Sequence, residues 1–249
     1  MRDGLAVLWP LLALRITTRR LELAIPGTQD LLNLAEASGD LQPAAEPRYQ
    51  QAYLYEPSPQ RERHLLQRHW AVLAHWRPES WNLQLAIRVD GVAVGLQNMW
   101  AADFATVRTV ETGSWITRTR QGHGYGTEAR AAVLELAFAH LGAVEAHTAY
   151  VDGNTASQRV SRKLGYAGNG RRAYAEDGTR VVEHRMLLDA AAWANHRMPG
   201  ITVGGASECL ELFGLRSEPL DSWLSCYAPD RPPLGLSRRV TASARREPR

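Results

Sequence analysis

A chain of 249 residues with an apolar fraction of 45% is long enough to enclose one full core with segments to spare. A net charge of +3 excludes a polycation, and two cysteines, Cys209 and Cys226, exclude a disulfide scaffold and a structural zinc site. No metal is expected, and so sparing a use of cysteine points to a reduced, cytoplasmic setting.

An apolar run, 5–14, follows Met1 and Arg2. Pro10 interrupts it, Asp3 precedes it, and Arg15, Arg19 and Arg20 follow with no small-residue cleavage site. It therefore reads as an N-terminal arm, 1–14, and not as a signal peptide. It is too short to span a bilayer, and no membrane partner is expected. Residues 15–25 alternate as a first strand, closed by Pro26 and Gly27. Thr28 is the expected N-cap of a helix to about residue 38, with Asp30 in its first turn. Residues 39–59 are rich in proline and polar side chains and read as a loop. Residues 60–76 put Leu66, Trp70 and Leu73 on one helical face, predicting an amphipathic helix on a sheet. Leu83, Leu85, Ile87 and Val89 alternate along a second strand, 82–89; Asp90 and Gly91 form a tight hairpin, and 92–100 returns as a third strand. Residues 108–117 read as a fourth.

The next segment, 120–129, is the most telling. Gly122, Gly124 and Gly126 alternate between that strand and a helix expected over 127–141. Such a loop exposes consecutive backbone N–H groups, and a helix N-terminus behind it adds roughly half a positive charge. Together they suit a phosphate or diphosphate. A P-loop would need Gly-Lys-Ser/Thr, but Gly126-Thr127-Glu128 has no lysine. A dinucleotide fingerprint would need a third glycine one residue later and a parallel βαβ unit. What remains is Q/R-x-x-G-x-G/A, met by Gln121, Gly124 and Gly126, or a plain glycine-rich turn. Downstream, a fifth strand, 146–151, ends at Asp152-Gly153-Asn154. A short helix follows with Ala156, Val160 and Leu164 at helical spacing, stopped by Gly165. Residues 172–176 and 180–188 pair around Asp177-Gly178. Residues 190–216 read as an extension packing on the domain, and 217–249 as a proline- and arginine-rich tail, poor in order. The tail's arginines could touch nucleic acid, but a solvated tail is the expectation. No internal repeat is visible.

The loop, together with Asn154-Thr155-Ala156-Ser157 and Lys163-Leu164-Gly165-Tyr166, resembles the GNAT superfamily of N-acetyltransferases across about residues 14–215. The likeness is strongest to the RimJ/RimL-type branch. Within it, 15–23, 112–115 and 121–128 resemble an actinobacterial subgroup that includes a user of succinyl-CoA. The resemblance implies an α/β (α+β) fold: a mixed, mostly antiparallel twisted sheet flanked by helices, with a V-shaped splay between the fourth and fifth strands. It assigns 15–189 to an acyltransferase domain. It implies an acetyl- or succinyl-CoA donor, a primary amine acceptor (protein N-terminus, protein lysine or small molecule) and homodimers. Trp115, Ile116 and Thr117 would bond the pantetheine arm; Gln121, Gly122, His123, Gly124, Tyr125, Gly126 and Thr127 would hold the diphosphate; Asn154 would reach the pantetheine. Ser157 would protonate the leaving thiolate, unless it is only a helix cap, with Tyr150 and Tyr166 as fallbacks. Glu111 is the candidate base, since alternation places Glu111, Gly113 and Trp115 on one face, with Gly113 leaving room; a salt-bridged strand carboxylate is the other reading. A non-catalytic acyl-CoA-binding sensor is the alternative function.

Overall fold

The structure, a computed structural model, describes residues 4–41, 52–176 and 178–215. In chain order the elements are α1 (Gly4–Leu8), β1 (Arg15–Thr17), β2 (Leu21–Ala24), α2 (Thr28–Ser38), α3 (Gln60–Ala74), β3 (Ser80–Val89), β4 (Val92–Ala102), α4 (Phe104–Val107), β5 (Thr109–Ile116), α5 (Tyr125–Glu135), β6 (Glu145–Val151), α6 (Thr155–Lys163), β7 (Ala167–Glu176), β8 (Thr179–Asp189), α7 (Ala190–His196) and β9 (Thr202–Gly204). Among the described residues, nine strands form one sheet in the order β7-β8-β6-β5-β4-β3-β2-β1-β9. Every pairing is antiparallel except β5 with β6. This is the expected mixed, mostly antiparallel α/β architecture.

Strand alternation sends Leu83, Leu85 and Ile87 to one face, where Met99, Val110 and α5 residues such as Ala129 and Val133 complete the larger core. The other face buries Ala86, Leu96 and Trp115 beneath Leu34 of α2 and Leu65 of α3. The two covers therefore lie on opposite sides of β3–β5.

Several expectations are corrected. Residues 15–25 form a hairpin, not one strand: β1 pairs antiparallel with β2, Arg15 opposite Ala24. The turn has no glycine or proline; Thr18 Oγ1 accepts the Leu21 N–H at 2.9 Å and reverses the chain. The expected fourth and fifth strands are thus β5 and β6. Thr28 opens α2 but is not its cap, because the Gly27 N–H donates to the Asp30 carboxylate at 2.8 Å. The buried face of α3 is Leu65 and His69, while Trp70 is 57% exposed. His69 goes inside because its Nδ1 meets Gln84 Oε1 on β3 at 3.1 Å. The helix over 127–141 begins at Tyr125 and ends in a π-helical turn, Leu136–His140.

After β8, Trp193 of α7 stacks on Phe138 at 5.0 Å, and β9 adds an edge strand beside β1 that alternation did not indicate. The tail 217–249 and residues 42–51 of the expected loop lie outside the described residues. No helix among the described residues is long and apolar enough to cross a membrane.

Candidate functional site

The glycine loop is built to present its backbone. Gly122 and Gly124 both take left-handed φ, +78° and +85°, which side chains resist. The N–H groups of residues 122–126 donate to no described residue, whereas those of Thr127 and Glu128 turn inward to the Gly124 carbonyl at 3.1 Å each. Gln121 braces the loop: its Nε2 donates to the Ile116 carbonyl at 2.9 Å. His123 points outward, with Nδ1 near the Gln121 carbonyl at 2.8 Å and its ring stacked on Tyr125.

A clamp holds this loop to the β1–β2 turn. Arg20 donates from Nη1 to the His123 carbonyl at 2.9 Å and from Nε to the Glu128 carboxylate at 2.8 Å, and its guanidinium lies over the Tyr125 ring. Thr18 Oγ1 and the Arg20 N–H also donate to Glu128. Burial pushes the Glu128 carboxyl up, but the Thr18 hydroxyl and the Arg20 guanidinium outweigh it and hold the group below its ordinary value of 4.5. The clamp's stability is therefore fully present above that value and lost as pH falls through the lowered one. Arg20→Ala is expected to cost about 1–3 kcal/mol, less than a fully buried pair because Arg20 is half exposed, and to loosen the glycine loop. Acid melts check it: wild type should lose more stability than Glu128→Gln between pH 5 and the lowered value.

Beside the loop the sheet opens. β5 and β6 pair only from Thr109–Glu145 to Glu111–His147. Two threonines close the apex: Thr148 Oγ1 donates to the Thr112 carbonyl at 3.0 Å, and Thr112 Oγ1 to the His147 carbonyl at 3.4 Å. Beyond them the strands part around a cleft of about 560 Å³. Its walls include Gly113, Trp115 and Ile116 of β5, Tyr150 of β6, and Gln121, Gly122, Gly124, Tyr125, Gly126 and Thr127 of the loop. Asn154 and Ser157 line it from α6. Asn154 Oδ1 is committed as the cap of that helix, accepting the Ser157 N–H at 3.1 Å. Of the fallback hydroxyls, Tyr150 accepts from Gln158 Nε2 at 2.7 Å, and Tyr166 is buried against Thr112 outside the cleft wall.

Three expected site residues stand apart from this wall. Thr117 is spent on the fold: its N–H goes to the Val94 carbonyl at 2.9 Å and its hydroxyl to Asp40 at 3.1 Å. His123 sits outside the lining, as described. Glu111 is exposed in an adjoining depression that shares Arg68, Asn82 and Trp100 with the cleft. The room expected beside Gly113 holds the Trp100 indole, which a β-carbon there would meet at 3.4 Å.

Sequence reasoning also missed wall residues. Arg130, on α5, is 3% exposed, and its Nη1 donates to Ser161 Oγ at 3.0 Å. Asn82 and Asn98 line the far side. Among the described residues no group of three His, Cys, Asp or Glu side chains is placed to hold a metal ion.

A family profile described as the Acetyltransferase (GNAT) domain matches residues 20–167. Solved structures share the fold at low identity. Mycobacterium smegmatis RimJ, in complex with CoA-disulfide, superposes with a TM-score of 0.58 at 20% identity, over 80% of this chain and 91% of its own. A GCN5-related N-acetyltransferase from Brucella melitensis gives 0.59 at 17%, over 74% and 81%. RimL, a ribosomal L7/L12 alpha-N-protein acetyltransferase in complex with coenzyme A, gives 0.57 at 15%, over 70% and 97%.

Proposed function

The chain belongs to the GNAT acetyltransferase family, and we propose that it is an N-acyltransferase moving an acetyl or succinyl group from acyl-CoA to a primary amine by direct attack. One observation supports this reading above the rest. The N–H groups of residues 122–126 are unpaired among the described residues, at a helix N-terminus where Gly122, Gly124, Tyr125 and Gly126 line a cleft between parting strands. Unpaired N–H groups at a helix N-terminus suit a diphosphate, and exposed strand edges suit an amide-bearing arm.

Acyl-CoA would supply an activated thioester carbonyl. The β5 backbone at Trp115 and Ile116 would border its arm, and residues 122–126 its diphosphate. We assign Ser157 to return a proton to the leaving sulfur, a light task because an ordinary thiol has a pKa of about 8.5. The nucleophile is the harder problem. A lysine-type amine, with a pKa of about 10.4, is neutral in about one molecule in 2,500 at pH 7, so freeing its lone pair costs about 4–5 kcal/mol. We assign Glu111 as the base, working through water from the adjoining depression. Thr117 is left out of the cofactor set, because its N–H and hydroxyl are already engaged.

The resemblance carried by 15–23, 112–115 and 121–128 supports including succinyl among the donors. RimL is named for an alpha-amine of ribosomal L7/L12, which supports trying a protein N-terminus first as acceptor. Mass spectrometry of the purified protein should find a retained coenzyme A thioester, and thiol release should depend on an added amine. Retention without amine-dependent release would make the protein a non-catalytic acyl-CoA sensor.

A further inference from the structure

We propose that Asn82 and Asn98 hold the two N–H groups of the acceptor amine and so aim its lone pair at the thioester. The inference rests on the acyltransferase reading.

Both carboxamide oxygens are shut away from water, and neither accepts a hydrogen bond from a described residue. Asn98 is 3% exposed. Leaving such a group unpaired costs about 1–3 kcal/mol, so a native fold keeps few of them without a use. Both side chains line the cleft, where a ligand can reach them.

Their placement is set by the register. Asn82 of β3 faces Trp100 across the ladder, and Asn98 of β4 faces Gln84 on one side and Gly113 on the other. The two asparagines are thus diagonal neighbours on adjacent strands, with α-carbons about 7–8 Å apart. Alternation puts them on the face of Glu111, Gly113 and Trp115, opposite the face that α5 covers. The glycine loop serves one side of the splayed strands and the asparagine pair the other. The Trp100 indole, over Gly113, gives the pair an apolar wall.

The chemistry fits a neutral amine. It has two N–H donors and one lone pair, and two carbonyl oxygens take the donors while the lone pair stays free. The last torsion of an asparagine is broad and roughly two-fold, so a turn of each carboxamide would bring its oxygen to the cleft. A carboxylate in either position would instead favour the ammonium, whose lone pair is already bonded to a proton. The N–C bond forms, the C–S bond breaks, sulfur leaves with the electron pair, and the nitrogen's surplus proton goes to the base.

The test uses glycinamide as the amine. In protein saturated with coenzyme A, the side-chain ¹⁵N–¹H resonances of Asn82 and Asn98 should both shift saturably as glycinamide is added. In turnover, Asn82→Ala and Asn98→Ala should each raise the glycinamide KM about tenfold or more, the loss of one hydrogen bond of about 1.4 kcal/mol. The dissociation constant for coenzyme A should stay within about twofold of wild type, since the asparagines lie on the sheet face away from α5, whose N-terminal loop would hold the diphosphate. Asn98→Asp should lower kcat more than it raises KM. Resonances that stay fixed, or coenzyme affinity falling in step with KM, would overturn the proposal. Should one alanine variant not fold, the other and the titration decide. A wild-type protein that releases no thiol with any amine counts against the transfer reading, and the titration then still judges the pair.

Discussion

Gly95→Ala is expected to lower the melting temperature by roughly 6–12 °C and to abolish coenzyme A binding in the same stroke. Gly95 lies opposite Ile116 in the β4–β5 ladder. A β-carbon there would stand 2.2 Å from the Trp115 carbonyl oxygen and 2.8 Å from the Ile116 α-carbon. Both are main-chain atoms, so no rotamer change relieves the clash, and the strands must separate. Overpacking against a rigid neighbour costs about 3 kcal/mol, the upper part of the usual range. The approach is this close because β4 carries a bulge: Ile87 faces Gly95 but Arg88 faces Ala93, and the extra residue, Val94, takes the Thr117 N–H. The same stretch of β5 forms the cleft wall, so binding should suffer beyond the loss of stability. Gly168→Ala is the control, since nothing lies within 4 Å of its added carbon. Differential scanning fluorimetry and calorimetric titration with coenzyme A check both halves. A variant that melts with the wild type would mean that the two strands are not packed this closely.

The parts of this molecule legible in sequence are those where one residue type answers a local backbone demand. Gly122 and Gly124 declare left-handed turns, Gly165 ends α6 with φ +88°, and Asp90-Gly91 closes a hairpin. The illegible parts depend on partners far along the chain. The β1–β2 turn carries no turn residue; Thr18 makes it, and Glu128, which belongs to α5, steadies it. Two of the motifs behind the subgroup resemblance, 15–23 and 121–128, meet at this clamp. Trp70 looked like the core of α3 because indoles are apolar, yet His69 is inside, since Gln84 on β3 satisfies its ring. Asn82 and Asn98 fall within the expected strands 82–89 and 92–100, and only the register sets them side by side. Nothing in the sequence singles out Arg130; only the packing of α5 beside α6 gives it Ser161 and a buried place in the cleft wall. Thr202–Gly204 has too few residues for a periodic signal and becomes a strand because β1 offers it an edge.

Glu111→Gln is expected to lower kcat by about 10²–10⁴ while leaving coenzyme A affinity unchanged. Glu111 is the last β5 residue paired with β6, opposite His147, and it faces Trp100 on β4. It makes no ion pair with a described residue, so the substitution removes charge without freeing a partner. Its depression meets the cleft at Arg68, Asn82 and Trp100, which places the carboxylate on the asparagine side of the splay. On the proposed reading, a proton leaving an amine held there would cross to Glu111 through water. A base and a packing residue predict different dependences on the amine. If Glu111 takes the proton, the defect should shrink as the acceptor amine becomes less basic, because a weakly basic amine is already neutral at pH 7 and needs no help. It should shrink likewise as pH rises toward the amine's own pKa. A defect of the same size across a series of amines of falling basicity would show that the carboxylate positions the acceptor, and wild-type turnover in Glu111→Gln would remove it from the chemistry altogether.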